Sequence, residues 1–389
     1  MRLVFIINFL LAISTTVGMT IIPFLVVDSL GLSLVFLGLI EGSTEFLSNV
    51  LRLTNGVLFD KIKNKRIIFI LSIGVAFIAK LLLLIPNVWT ITGSKTLERV
   101  ANGAFASPRD AYVGEKAKNK GLALGFLGFS KSAGCILGPL VVSISTLFFG
   151  DLKNNLYAFI TFCCSLIFLA FISSFFLKVN ISIKSEFSFD ELKGIFNKIK
   201  PTLLLTFLFF CGRFNDGLLM MYLKQKNFPE WFYLSTISIF NFIMLISSPL
   251  IGNQIDRGRL KEMVCVSIGA LGIFSVIFYQ LNYLSWTLAV LGLVGWGIQR
   301  TGSQIVFASL IFKSIDKANY GTAIGIFYII SGFATMLSSF LCGYLAKNNF
   351  FPVVFILSGT CSLLALLFSM YMLNNRTSLL KLGFVVNNV

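Results

Sequence analysis

Gly56-Val-Leu-Phe-Asp60-Lys61-Ile-Lys63-Asn-Lys65-Arg66 and Gly252-Asn-Gln-Ile-Asp256-Arg257-Gly258-Arg259-Leu-Lys261 carry one pattern twice, 196 residues apart. In each, a glycine is followed four residues later by an aspartate and a cation, then by more cations, and each lies between two long apolar segments. A charged hairpin repeated at half the chain length predicts a membrane protein built from two equivalent halves. A second repeat agrees: Lys120-Gly121-Leu-Ala-Leu-Gly125 and Tyr320-Gly321-Thr-Ala-Ile-Gly325 open related segments at an offset of 200.

Composition places the chain in the bilayer. It is 56% hydrophobic and 12% charged over 389 residues, with mean hydropathy +0.88. A soluble domain has no means of hiding so much apolar surface, whereas lipid solvates it. About 20 apolar residues cross a ~30 Å hydrocarbon core. On that measure twelve spans are predicted: 2–28, 33–59, 66–86, 90–114, 121–149, 155–178, 200–224, 229–255, 260–280, 284–312, 320–346 and 350–373. The first resembles a signal peptide but is longer, and eleven similar segments follow it.

The net charge of +16 follows membrane topology. With the N-terminus inside, the inner loops and tails hold 20 cations and the outer loops four, Lys153, Lys224, Lys226 and Lys347. That asymmetry puts both termini in the cytoplasm and makes nucleic acid an unneeded partner. The expected organisation is an N-terminal six-helix bundle (1–178), a cytoplasmic linker (179–199), a C-terminal six-helix bundle (200–375) and a cytoplasmic tail (376–389). In the linker, Ser188-Phe-Asp-Glu191 reads as a capping box. A stripe of Phe189, Leu192, Ile195, Phe196 and Ile199 then suggests a short amphipathic helix on the membrane surface, with an ordinary linker as the alternative.

Several chemistries are excluded. Histidine is absent, so proton transfer falls to carboxylates and no His-based metal site exists. The seven cysteines lie inside predicted spans with no metal-ligand spacing and read as small buried apolar residues. No phosphate-binding loop and no nucleophile–base pair is present, which argues against an ATPase or hydrolase; no cofactor is expected.

Three motifs resemble the major facilitator superfamily of secondary transporters. Gly56, Asp60, Lys61, Lys65 and Arg66 match that family's loop between spans two and three, without its second glycine. Arg99-Val-Ala-Asn102-Gly103-Ala-Phe-Ala106 matches its fourth span, with Asn for Gln. Gly134-Cys-Ile-Leu-Gly138-Pro139 matches the first part of a fifth-span motif of drug-exporting branches, with Val142 and Ser143 at the closing glycines. The resemblance implies an all-α fold of twelve spans in two bundles, with spans one, four, seven and ten around a central cavity. It also implies that the loops at Gly56, Asp60, Lys61 and Arg66 and at Gly252, Asp256 and Arg257 act as gates. Gly134 and Gly138 read independently as a close-approach face, or as generic packing, and Pro139 as a bend.

Ionisable groups at mid-membrane depth cost about 3 kcal/mol on insertion scales, so each is a functional candidate. They are Glu41 and Glu45 (span two), Glu98 and Arg99 (four), Lys131 (five), Arg213 and Asp216 (seven) and Arg300 (ten). Counting 1.5 Å per residue puts Glu45, Arg99, Lys131, Arg213 and Arg300 at broadly similar depth. Glu41 and Glu45 share a helix face, which would raise one carboxyl's proton affinity and suit it to proton coupling; a buried Glu45–Arg99 pair is the competing structural reading. Glu98 and Asp216 are further proton-coupling candidates. Arg213 and Asp216, three residues apart, would in the simplest reading neutralise each other. The resemblance implies that Arg99 and Arg300 take equivalent places facing the cavity in the two halves; with Lys131 and Arg213 they suggest an anionic or zwitterionic substrate. Lys80 and Lys95, near outer span ends, are expected to snorkel.

The resulting expectation is a monomeric, multi-pass carrier of the bacterial cytoplasmic (inner) membrane, moving a small organic solute by alternating access. Proton-coupled export is preferred, on the fifth-span motif. Proton-coupled import of an organic anion or nutrient and a transport-inactive receptor or scaffold are the alternatives.

Overall fold

A computed structural model describes residues 2–60, 65–116, 120–177, 189–281, 285–315 and 320–374, which form thirteen α-helices and no strand. They are α1 (Arg2–Phe24, widening into a π turn at Leu25–Ser29), α2 (Leu34–Asp60), α3 (Lys65–Leu81), α4 (Val88–Lys116), α5 (Lys120–Phe149) and α6 (Leu152–Ser174). There follow α7 (Phe189–Cys211), α8 (Asp216–Gln225), α9 (Glu230–Asp256), α10 (Leu260–Tyr279), α11 (Trp286–Phe312), α12 (Tyr320–Lys347) and α13 (Phe351–Asn374). Helices are what a bilayer permits, because every backbone N–H and C=O must be satisfied inside the segment. A helix or helix pair stands at each of the twelve predicted spans, with ends within a few residues of those expected except at the start of the seventh.

Two differences concern the seventh span. The amphipathic stripe of 189–199 is no separate surface helix: it is the first part of α7, which continues through Pro201 into the membrane. Span seven itself breaks at 212–215, and Asn215 caps the second piece, its Oδ1 accepting from the Gly217 N–H. Counting α7 and α8 as one span, ten of the twelve are long and apolar enough to cross a membrane unaided. The two that fall short are α4 and α11, which occupy matching places in the repeat and carry Lys95, Glu98, Arg99 and Arg300.

Packing follows the repeat. In the first half α1 lies on α5 and α6, α3 on α4 and α6, and α2 on α4. In the second, α7 lies on α12 and α13, α10 on α11 and α13, and α9 on α11. The halves meet along α2–α12 and α5–α9. The end where α1 finishes and α2 begins is here called distal, and the end bearing the charged hairpins is called terminal. Cross-half contacts gather towards the distal end. A Cβ on Gly38 would overlap the Ser339 carbonyl, and one on Gly343 would come within 2.6 Å of the Leu34 carbonyl oxygen. Asp28 pairs with Lys224, Ser143 donates to the Trp231 carbonyl at 2.6 Å, and the Leu152 N–H donates to Glu230 at 3.3 Å.

The hairpin glycines have different backbone settings. Gly252 is inside α9 with open space around it, and the turn is made by Gly258 at φ +84°, where glycine avoids the steric cost of a left-handed residue. Asp256 and Arg257 are exposed at the end of α9. Gly56 is likewise helical, inside α2. The side chains of Asp60, Lys61 and Arg66 lie outside the described residues.

Gly134 and Gly138 do bring helices together. They face α1, where added Cβ atoms would sit 2.7 Å from the Ala12 Cβ and 2.8 Å from the Ile13 carbonyl oxygen respectively. Pro139 stays within a continuous α5. Gly134→Leu should therefore lower the thermal unfolding midpoint of the detergent-purified protein, by about 1–3 kcal/mol of overpacking strain. Gly125→Ala, with nothing within 4 Å, should not lower it.

Candidate functional site

Each mid-membrane acid finds a cation on another helix. Lys95 of α4 pairs with Glu41 of α2; the side chains are 1% and 4% exposed. Lys80 of α3 donates to Glu98 of α4 at 2.8 Å, at 0% and 5% exposure. Arg99 of α4 lies 3.3 Å from Glu45 of α2. Arg300 of α11 pairs with Asp216 at the start of α8. The physical reason is common to all four: the low dielectric makes an isolated charge expensive and an opposite charge correspondingly attractive.

Two expectations are corrected by this geometry. Lys80 and Lys95 do not snorkel; both are buried in ion pairs, because an acid lies within reach on α4 or α2 and offers more than a distant water phase. The Lys80 ammonium is seated against α1, where a Cβ on Gly18 would come within 2.5 Å of Nζ, so that glycine makes the room for it. Glu41 and Glu45, read as one like-charged pair on a shared helix face, each face a separate cation on α4. Arg213 and Asp216 do not neutralise each other. The helix break between them turns Asp216 towards α11, where it accepts from Arg300 and, at 3.0 Å, from the Trp296 Nε1–H.

Arg213 is thereby left with no carboxylate. Its guanidinium stacks on Phe210 at 5.5 Å, and its Nε is buried with no hydrogen-bond partner. Arg300 stacks on Phe240 at 4.7 Å while holding Asp216. Arg99 feels the charge of Asp216 as well as those of Glu45, Glu41 and Glu98, and Arg213 feels Arg300, Asp216 and Glu45. Lys131 is exposed on α5.

Four participants were missed by sequence reading: Lys80, Lys95, Asn215 and Trp296. The spacing Lys95-Thr-Leu-Glu98-Arg99 held a signal, since three charges within one helical turn of a span require partners on neighbouring helices. Asn215 carried no such signal. Its side-chain amide donates to Glu41 across the two halves at 3.1 Å, a contact made by the break in span seven.

A bundle of spans surrounding a paired but cation-rich polar centre defines a membrane carrier. The family model described as the Major Facilitator Superfamily matches residues 4–237 and 202–383, and the chain belongs to that family. It is a membrane transporter, not an enzyme. Among its relatives, an uncharacterized MFS-type transporter of Methanocaldococcus jannaschii is 26% identical over 87% of this chain and 86% of its own length. The multidrug resistance protein MdtG of Proteus mirabilis is 24% identical over 81% and 80%. Among solved structures, the nucleoside transporter NupG shares the fold at TM-score 0.76 and 16% identity, covering 96% of this chain and 98% of that one. A structure described by substrate recognition in proton dependent oligopeptide transporters shares it at TM-score 0.76 and 13% identity, covering 98% and 99%.

The buried pairs predict a distinct stability signature. Lys80→Met leaves Glu98 as an uncompensated buried charge and should cost about 3–5 kcal/mol, whereas Lys80→Met with Glu98→Leu should regain most of it. Unfolding of the purified protein by SDS titration reads both; a harmless Lys80→Met would mean that the lysine reaches water after all.

Proposed function

We propose that this transporter is a proton-coupled antiporter that exports a small organic anion or zwitterion across the cytoplasmic membrane by alternating access. The observation that carries the substrate class is Arg213, a guanidinium at membrane depth without a carboxylate, beside the Arg300–Asp216 and Arg99–Glu45 pairs. A guanidinium presents a planar fork of donors suited to carboxylate or phosphate, and a substrate anion supplies the charge the protein omits. Phe210 and Phe240, buried and stacked on the two arginines, hold those guanidiniums in place.

For proton coupling, Glu45 is favoured over the other acids. Its side chain is 39% exposed and its bond to Arg99 is 3.3 Å, whereas Glu41 and Glu98 are sealed in pairs with lysines and serve the architecture. Asp216 is the second candidate, held by Arg300 and Trp296. The moving units are the halves 1–178 and 200–375, joined by 179–199 and followed by the tail 376–389; residues 178–188 and 375–389 lie outside the described residues. Both termini are assigned to the cytoplasm by the cation asymmetry. On that assignment the distal contacts close the outer side, and the described conformation faces inward. One chain supplies both halves of the site, which suits a monomer.

Likeness to a multidrug resistance protein and the Gly134/Gly138 face support export. Import is the second reading, favoured by the same cation-rich centre, which would serve an incoming anionic nutrient equally.

Screening small organic anions for thermal stabilisation of the purified protein supplies the ligand, because a compound that binds the folded state raises its unfolding midpoint. Arg213→Gln should weaken the stabilising anion by about tenfold or more, as expected for a lost charge-assisted bond. Unchanged affinity would overturn the anion reading. In proteoliposomes under an imposed pH gradient, an antiporter counterflows and an importer coflows. Glu45→Gln should remove the pH dependence of flux while leaving anion stabilisation in place; retained dependence would pass the proton to Asp216.

A further inference from the structure

Four residues interrupt span seven, and this short segment holds three separate functions. Arg213 offers the unmatched guanidinium, Asn215 caps α8, and Asp216, directly after it, holds Arg300. Asn215 also reaches across the molecule. Its Oδ1 is used by the Gly217 N–H, and its Nδ2 donates to the second oxygen of Glu41, whose first oxygen takes Lys95. Glu41 is 4% exposed and fixed on α2, one turn from Gly38 and next to Gly42. Those two glycines face the α12 backbone without clearance, around Ser339 and Met336. The Lys95 that holds Glu41 is in turn close enough to Glu98 to act on its charge, and Glu98 holds Lys80. An alternating run, Lys80–Glu98–Lys95–Glu41, thus extends from the interior of the first half to the interface and ends on an amide of the second.

We infer that Asn215 is a positioning residue for reorientation: by donating to Glu41 it ties the span-seven break to the first half and holds the distal side closed. The tie and the guanidinium site are two residues apart on one non-helical segment. A shift of the backbone at Arg213 on taking an anion therefore changes the geometry of the bond that keeps the halves together. This inference rests on the alternating-access reading above. It also assigns Glu41 a role that proton transfer would disrupt, since protonation weakens both of its bonds.

The test separates the tie from the cap. Asn215→Asp keeps an oxygen for the Gly217 N–H but removes the donated amide and sets carboxylate against carboxylate. Glu41→Gln combined with Asn215→Asp restores a donor and an acceptor with their places exchanged. Spin labels at the exposed distal positions Lys153 and Lys347, in a chain whose seven cysteines are changed to alanine, report the distance between the halves without ligand. Asn215→Asp should raise the ratio of the long-distance to the short-distance population by about tenfold or more, as loss of a hydrogen bond to a charged group implies. The double variant should return it towards the original. An unchanged distribution in Asn215→Asp, or no recovery in the double variant, overturns the inference. Arg213→Gln should leave this ligand-free distribution unaltered, so the substrate reading and the tie can fail separately.

Discussion

A charge inside a membrane protein must be answered by another charge, and that requirement organises this molecule. Four acids stand at membrane depth, and each is met by a cation from a different element: α2 by α4 twice, α4 by α3, and α8 by α11. In water such pairs would contribute little. Inside a span, where neither partner has solvent to fall back on, removing one is far more costly than forming the pair was favourable. The pairs therefore fix which helix faces lie together. They also account for α4 and α11 being too polar to cross unaided: these helices are carried by their neighbours.

Once the acids are assigned, the surplus becomes legible. Asp216 could have served Arg213, its near neighbour in sequence, but the break at 212–215 delivers it to Arg300 and Trp296 instead. The second half then holds two guanidiniums and one carboxylate, which Arg300 takes, leaving Arg213 stacked on Phe210. On the proposed reading, binding capacity arises from what the protein leaves unmatched, while the surrounding matched pairs hold the framework still.

Close backbone contact and charge act on different parts of the motion. Gly134 and Gly138 hold α5 against α1 within one half, where no relative movement is needed. Gly38, Gly42 and Gly343 hold α2 against α12 between the halves towards the distal end, and Gly332 meets Asn49 further along the same seam. Such contacts gain dispersion energy when closed and lose it sharply on separation, so they favour two discrete arrangements over a continuum. The tie from Asn215 to Glu41 sits at the inner margin of this seam, next to the site.

Hydropathy and charge count, which depend on residue type and order alone, determined twelve spans, two halves and a central basic group. The i,i+4 relation of Gly134 and Gly138 determined a close helix face, and helix periodicity brought Glu45 and Arg99 to one depth. Partner choice was not in the sequence. Lys80 and Lys95 look the same in a hydropathy profile whether they reach for lipid headgroups or for a carboxylate, and only the positions of α2 and α4 decide. The sequence pattern did not say which hairpin glycine turns the chain: the helix runs through Gly252, and Gly258 makes the turn. The destination of Asp216 and the reach of Asn215 depend on a break in span seven whose direction is set by α1 and α11 packing around it. Local order fixes what each residue can do, but which opposite charge lies within 3 or 4 Å is a property of the assembled bundle.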